Sequence, residues 1–272
     1  MNKGYFKDKV ALVSGGSRGV GFALAKALVS NGAKVVITAR HEKRLLDSEA
    51  KLKDMGASVK AVAGDVSKWE DAEKMVKAAI DAFGRLDILV NNAGVTMRGK
   101  FEELSPEVCK QVGEVNLMGS IYLSRAAIPY IKQAQGNLVF ISSIAGIFGL
   151  PGASIYCASK GGLKGLAESL RLELIPEGVH VGIVYLGYTE HDPEKRILQA
   201  DGTGAPPTRP AHHTQAYAAG LIMKLIEKRK RDLVMTPVGK LGSYIYRLFP
   251  GFVERAILFA QEKNLGIYQK FS

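Results

Sequence analysis

Val10-Ala-Leu-Val-Ser-Gly-Gly-Ser-Arg-Gly-Val-Gly21 reads as a strand running into a glycine-rich turn that opens a helix. Residues 10–14 form a nearly continuous apolar run, the pattern of a strand covered on both faces. Glycines at 15, 19 and 21 let the backbone turn tightly and let another molecule approach it closely. A helix that starts at Gly19 offers unpaired N–H groups and a partial positive charge at its first turn. Gly15, Ser17, Arg18, Gly19, Val20 and Gly21 are therefore a candidate pyrophosphate cradle. The bland alternative is a turn with no ligand. The position between a strand and a helix favours a nucleotide, although the spacing Gly-x-x-x-Gly-x-Gly departs from Gly-x-Gly-x-x-Gly.

Working outward, short apolar runs at 34–39, 59–63, 88–91, 137–142 and 179–185 alternate with helical patterns such as 19–31, 69–83 and 106–133. Repeated strand–helix units of this kind predict an α/β fold built on a doubly wound parallel sheet. Ser67 is the expected N-cap of the helix at 69, and Asn31-Gly32 the stop of the first. From 187 to 214 the pattern lapses into a Gly- and Pro-rich stretch, read as a functional loop. A helix near 214–228 and a short strand near 232–235 follow.

The chain has 272 residues, of which 47% are hydrophobic, enough for one large domain. Its start carries no apolar signal region, and no uncharged apolar stretch reaches about 18 residues, so a soluble cytoplasmic protein is expected. The two cysteines, Cys109 and Cys157, support neither a disulfide framework nor a metal site. His212-His213 lack Cys or carboxylate neighbours at ligand spacing, so no metal is expected. A net charge of +11 suits an anionic partner or plain solubility. The densest basic run, Lys228-Arg-Lys-Arg231, closes a helical segment and has no interleaved aromatics, so nucleic-acid binding is not expected.

Tyr156 and Lys160 lie four residues apart at the start of a helical segment, which puts phenol and ammonium on one face. A free tyrosine ionises near pH 10, and a neighbouring lysine favours the tyrosinate, so the pair can serve as an acid and base near neutral pH. Alone, the spacing more often means a solvated helix face. Cys157 beside the tyrosine reads as a small packing residue rather than a reactive thiol.

Taken with the glycine loop and the strand order, this pair resembles the short-chain dehydrogenase/reductase family over residues 8–236. Further landmarks stand in register: Asp65-Val66, Asn91-Asn-Ala-Gly94, Asn116, and Ser143 thirteen residues before Tyr156. The resemblance implies a single Rossmann-type domain (residues 1–237) that binds a nicotinamide dinucleotide and reversibly reduces a carbonyl. Tyr156 would exchange the proton, Lys160 would lower its pKa and hold the ribose, Ser143 would bond the substrate oxygen, and Asn116 would hold a relay water. Only the family register selects Ser143 over Ser142. Asp65 and Val66 would meet the adenine, while Asn92, Ala93 and Gly94 would line the cofactor. Where NAD-binding relatives carry an acid, this chain has Arg40, which with Arg18 resembles a clamp for the 2′-phosphate of NADP(H). Leu186 replaces the family's proline after the sixth strand, so Gly187 and Thr189 are expected at the nicotinamide end in a shifted register.

Residues 238–272 read as an amphipathic extension of the same domain. Leu241, Tyr244, Ile245, Leu248 and Phe249 share a helical face, Pro250-Gly251 interrupts it, and Phe252, Ala256 and Phe259 resume it. That stripe suits the protein's own core, a sister subunit in a homo-oligomer, or peripheral contact with a membrane. Similar tails in the family imply a small-molecule hydrophobic carbonyl substrate, steroid- or lipid-like. A 3-oxoacyl-thioester reductase and a non-catalytic NADP(H) sensor are the alternatives.

Overall fold

Every residue of the first strand, β1 (Val10–Ser14), is buried. Val10 and Leu12 enter one apolar core and Ala11 and Val13 the other, as the two-residue period of a strand demands. This is the centre of a sheet covered on both faces.

The computed structural model describes residues 4–190, 192–207 and 213–263. After β1 the chain forms α1 (Gly19–Ser30), β2 (Lys34–Ala39), α2 (Glu42–Lys53), β3 (Val59–Ala63), α3 (Trp69–Phe83) and β4 (Ile88–Asn91). Then come α4 (Pro106–Gly113), a π-helical turn (Glu114–Met118), α5 (Gly119–Gln133), β5 (Asn137–Ser143), α6 (Ser154–Leu174) and β6 (His180–Leu186). The remainder comprises β7 (Ile197–Leu198), β8 (Gly204–Ala205), α7 (Gln215–Glu227), β9 (Asp232–Val234), α8 (Pro237–Leu248) and α9 (Pro250–Glu262). Seven strands make one sheet in the order β3-β2-β1-β4-β5-β6-β9, with every pairing parallel. One core holds Leu24, Leu45 and Ile222 of α1, α2 and α7, and the other holds Met75, Leu123 and Leu163 of α3, α5 and α6. The Rossmann-type, doubly wound architecture is as expected. The strand order reverses at β1 and β4, which opens a crevice at their C-terminal ends.

Three local readings change. The predicted helix over 106–133 is divided by the π turn, which carries Asn116. Ser67 does not cap α3; its N–H and hydroxyl both donate to Asp65 Oδ1, at 3.0 and 2.8 Å, and the helix begins after Lys68. The nearer carboxylate competes successfully for the serine. The loop after β6 is partly structured, since β7 and β8 pair as an antiparallel ribbon.

The glycine turn is fixed by contact as well as by flexibility. Gly19 has φ +58°, and nothing stands within 4 Å of where its side chain would be. A Cβ on Gly21 would lie 2.3 Å from Gly15 O and 2.5 Å from Asn92 Nδ2. Gly21→Ala should therefore cost about 2–3 kcal/mol, read as a lower midpoint in urea unfolding; an unchanged midpoint would show that the turn relaxes freely.

Candidate active site

The C-terminal ends of β1, β2, β4, β5 and β6 border a cleft of about 320 Å³. It is lined by Gly15, Ser17, Arg18, Gly19, Val20, Gly21, Arg40, Asp65, Val66, Asn92, Ala93, Gly94, Ser143, Tyr156, Lys160, Gly187 and Thr189. Every site residue expected from the sequence thus meets in one place except Asn116, which is fully buried behind the wall. The wall also contains Thr96, Arg44, Asp192, Lys195 and Arg196, which the sequence reading missed. Arg44 lies four residues beyond Arg40, in the first turn of α2, a signal the spacing did offer; Lys195 and Arg196 come from the irregular segment.

Asn92 ties the glycine loop to β4. Its Nδ2 donates to Ser14 O at 2.8 Å, and its backbone N–H donates to Ser14 Oγ at 3.0 Å. Asn91 instead points inward and donates to Ser124 Oγ at 3.0 Å. Asn116 Oδ1 accepts from Val95 N at 2.8 Å, while its Nδ2 donates to Val95 O and to Ser159 Oγ, both at 3.0 Å. The amide therefore clamps the segment after β4 onto α6. A Cβ on Gly94 would lie 3.1 Å from Asn116 Oδ1 and 3.4 Å from Lys160 Nζ. The π turn has a local purpose in this contact, as such turns often do at functional sites.

The two neighbouring serines, both in the wall of the cleft, make different contacts. Ser142 is 2% exposed and its hydroxyl donates to Lys160 O at 2.9 Å. Ser143 ends β5, accepts from Ala145 N at 3.2 Å and stands beside Tyr156, whose phenol it pulls down. Lys160 is 5% exposed, and its ammonium donates to Ile141 O at 2.9 Å.

Electrostatics differ from the sequence expectation. Burial raises the Tyr156 phenol above its ordinary value, with Ser143 and then Arg98 pulling it back; Lys160 is not among the groups that move it. The ammonium is engaged with the β5 backbone instead. Burial, with Lys195 second, pushes Lys160 down to about 8. A depressed folded pKa means stability is fully present above the unfolded value and is lost as pH falls through the folded one. Between about pH 8 and about pH 9.5 the wild type should gain about 2 kcal/mol relative to Lys160→Met, measured by denaturant unfolding at each pH. A pH-independent difference would contradict that environment for Lys160.

Cys157 accepts from Leu150 N at 3.4 Å, and burial raises its thiol, so it stays protonated as a packing residue. His213 stacks on Tyr217 at 5.0 Å; His212 lies outside the described residues. Among the described residues no group of His, Cys, Asp or Glu could hold a metal ion.

At the far end of the cleft, Arg18, Arg40, Arg44, Lys195 and Arg196 gather around Asp65, Glu190 and Asp192. Arg18 stands 3.8 Å from Asp192, Arg40 stands 3.8 Å from Asp65, and Arg44 pairs with Glu194. Burial lowers Arg18, and the charges of Arg44, Arg40 and Arg196 add to that effect. Thr38 Oγ1 is buried in the same wall with no hydrogen-bond partner. An open Gly19, an unsatisfied hydroxyl and clustered cations fit an anionic dinucleotide laid along the strand ends.

The family model described as short chain dehydrogenase matches residues 9–201. The chain belongs to that family and is an oxidoreductase of the type that uses a nicotinamide cofactor. It is 40% identical over 186 residues to an 11-beta-hydroxysteroid dehydrogenase 1A of Arabidopsis thaliana, covering 68% of this chain and 53% of that one. It is 37% identical over 180 residues to a 3-dehydrosphinganine reductase of Danio rerio, covering 64% and 54%. This chain therefore spans about half the length of these two relatives. A short chain dehydrogenase/reductase from Burkholderia phymatum, solved in complex with NAD, superposes with a TM-score of 0.80 at 25% identity, over 98% of this chain and 99% of that one.

Proposed function

We propose that the protein is an NADP(H)-dependent reductase of a hydrophobic ketone, with Tyr156 as proton donor. The observation that carries this reading is the meeting of Ser143, Tyr156 and Lys160 in the cleft that also holds the glycine loop. When bound, the nicotinamide supplies the hydride. Tyr156 Oη gives its proton to the carbonyl oxygen, and its raised pKa keeps it a phenol at neutral pH, ready to donate. The Ser143 hydroxyl bonds the same oxygen as negative charge develops there. Lys160 holds the ribose and replaces the tyrosine proton, and Asn116 fixes Gly94 against Lys160, where a water can pass protons to solvent.

Arg18 and Arg40, aided by Arg44, would hold the 2′-phosphate by charge-assisted bonds. Gly187 and Thr189 would face the nicotinamide, and Asp65 and Val66 the adenine. Behind the phenol, Met97, Val108 and Val112 form a buried cluster with Ile155, Tyr156 and Leu198 packed on it, which fixes the ring. The names of the plant and fish relatives agree with a steroid- or lipid-like ketone. Exposed Leu172 on α6 and Ile175 just beyond it support a homo-oligomer in which a sister subunit covers them.

A panel of steroid, long-chain 3-oxo and small aromatic ketones with NADPH tests the reading. Turnover should favour the large apolar ketones; a preference for 3-oxoacyl thioesters would move the assignment to that class, and no NADPH consumption with any of them would overturn it.

A further inference from the structure

Eight of the fourteen exposed large apolar side chains among the described residues fall between positions 238 and 259. On α8, Val238, Leu241 and Leu248 are 81%, 62% and 72% exposed; on α9, Phe252 and Phe259 are 67% and 56% exposed. The sequence stripe therefore turns away from the protein's own core. The opposite side of α8 is the packed one, where Tyr246 meets Phe148 at 5.7 Å between ring centres and Gly239 closes on Ile144 and Val234.

Beside α8 lies a second cavity, about 550 Å³, walled by α6, β6, β9 and α8. Six cations line it, Lys164, Arg171, Lys230, Arg231, Lys240 and Arg247, against only Glu168 and Asp232. Glu168 is shared by Lys164 at 3.9 Å and Arg231 at 3.4 Å, while Arg171 is spent on Val181 O and Arg231 O. Lys230, Lys240 and Arg247 have no carboxylate within ion-pair distance among the described residues. A concentrated positive charge thus borders an exposed apolar ridge.

We propose that this surface docks the protein on an anionic lipid bilayer. The phosphates of the headgroups are received by Lys240, Arg247 and Lys230 at the cavity, and the side chains of Leu248, Phe252 and Phe259 enter the acyl boundary. The pairing of an apolar ridge with a basic margin is the chemistry of a helix lying in a membrane interface. Charge argues against a second copy of the chain as the occupant. A twofold contact through this surface would bring the cation-rich margins of both copies into one interface. A free phosphate would satisfy the cavity but leave the ridge in water. Among the described residues no helix is long and apolar enough to cross a membrane, so the contact is peripheral.

Flotation of the full chain with vesicles tests this independently of the catalytic reading. The protein should float with phosphatidylcholine vesicles containing about 30% phosphatidylglycerol at about 0.1 M salt, and about tenfold less with phosphatidylcholine alone or at about 0.5 M salt. Lys240→Glu/Arg247→Glu and Phe252→Ser/Phe259→Ser should each lose about tenfold in flotation while keeping the wild-type melting temperature. Failure to float with the anionic vesicles, or equal flotation of either variant, would overturn the proposal. So would loss of a homodimer in the Phe252→Ser/Phe259→Ser variant without vesicle binding by the wild type, which would assign the ridge to a sister subunit.

Discussion

Tyr156→Phe should lower turnover with NADPH at neutral pH by about a thousandfold, within the range of 10²–10⁴ expected when a positioned acid is removed. The change deletes one oxygen from a side chain packed on Met97, Val108 and Val112, so the ring should keep its place. Ser143 would retain Ala145 N, and the strand end should hold its shape. Cofactor affinity should consequently stay within about threefold of wild type by fluorescence titration. Cys157→Ala, one residue away, should keep near-normal turnover because the thiol only accepts from Leu150 N. Turnover of Tyr156→Phe within tenfold of wild type would remove the phenol from the proposed chemistry.

The other large effect belongs to the cationic end of the cleft. Charge-assisted hydrogen bonds contribute about 1.5–3 kcal/mol each. Arg18 and Arg40 are 37% and 43% exposed, so solvent screening favours the lower figure. Two such losses, about 3 kcal/mol, correspond to about a hundredfold in kcat/KM. Arg18→Ala/Arg40→Ala should lose that much with NADPH and stay within about threefold with NADH, which has no 2′-phosphate to hold. Arg44, which stays in the same wall, sets a ceiling on the loss. A wild type that prefers NADH, or an equal loss with both cofactors, would assign these arginines to the pairs they already make with Asp192 and Asp65.

Much of the fold is legible because a strand buried on both faces must be apolar throughout, and β1, β2, β4, β5 and β6 nearly are. What escaped reading is tertiary. Nothing in Glu114-Val-Asn-Leu-Met118 marks a π turn; it exists where Asn116 meets the backbone of Val95 and the hydroxyl of Ser159, residues distant in sequence. The ribbon of β7 and β8 has two residues per strand, too few for any periodicity to show. Spacing placed Tyr156 and Lys160 on one face correctly, but could not reveal that the ammonium would turn to Ile141 O, nor that burial would dominate both groups. Lys195 and Arg196 join Arg18 and Arg40 only because the segment after β6 folds back over the strand ends. For the extension, the stripe was visible, but its direction depended on which side of α8 met Phe148.

The most direct measurement is isotopic: single turnover of the full chain with NADPH deuterated at C4 and a large apolar ketone, followed by mass spectrometry of the alcohol. The wild type should place one deuterium on the new carbinol carbon, from one face of the nicotinamide only, and Tyr156→Phe should form about a thousandfold less labelled product in the same time. Bound NADPH that transfers no deuterium to any ketone of the panel would contradict the reductase assignment and leave a nucleotide-binding protein in its place.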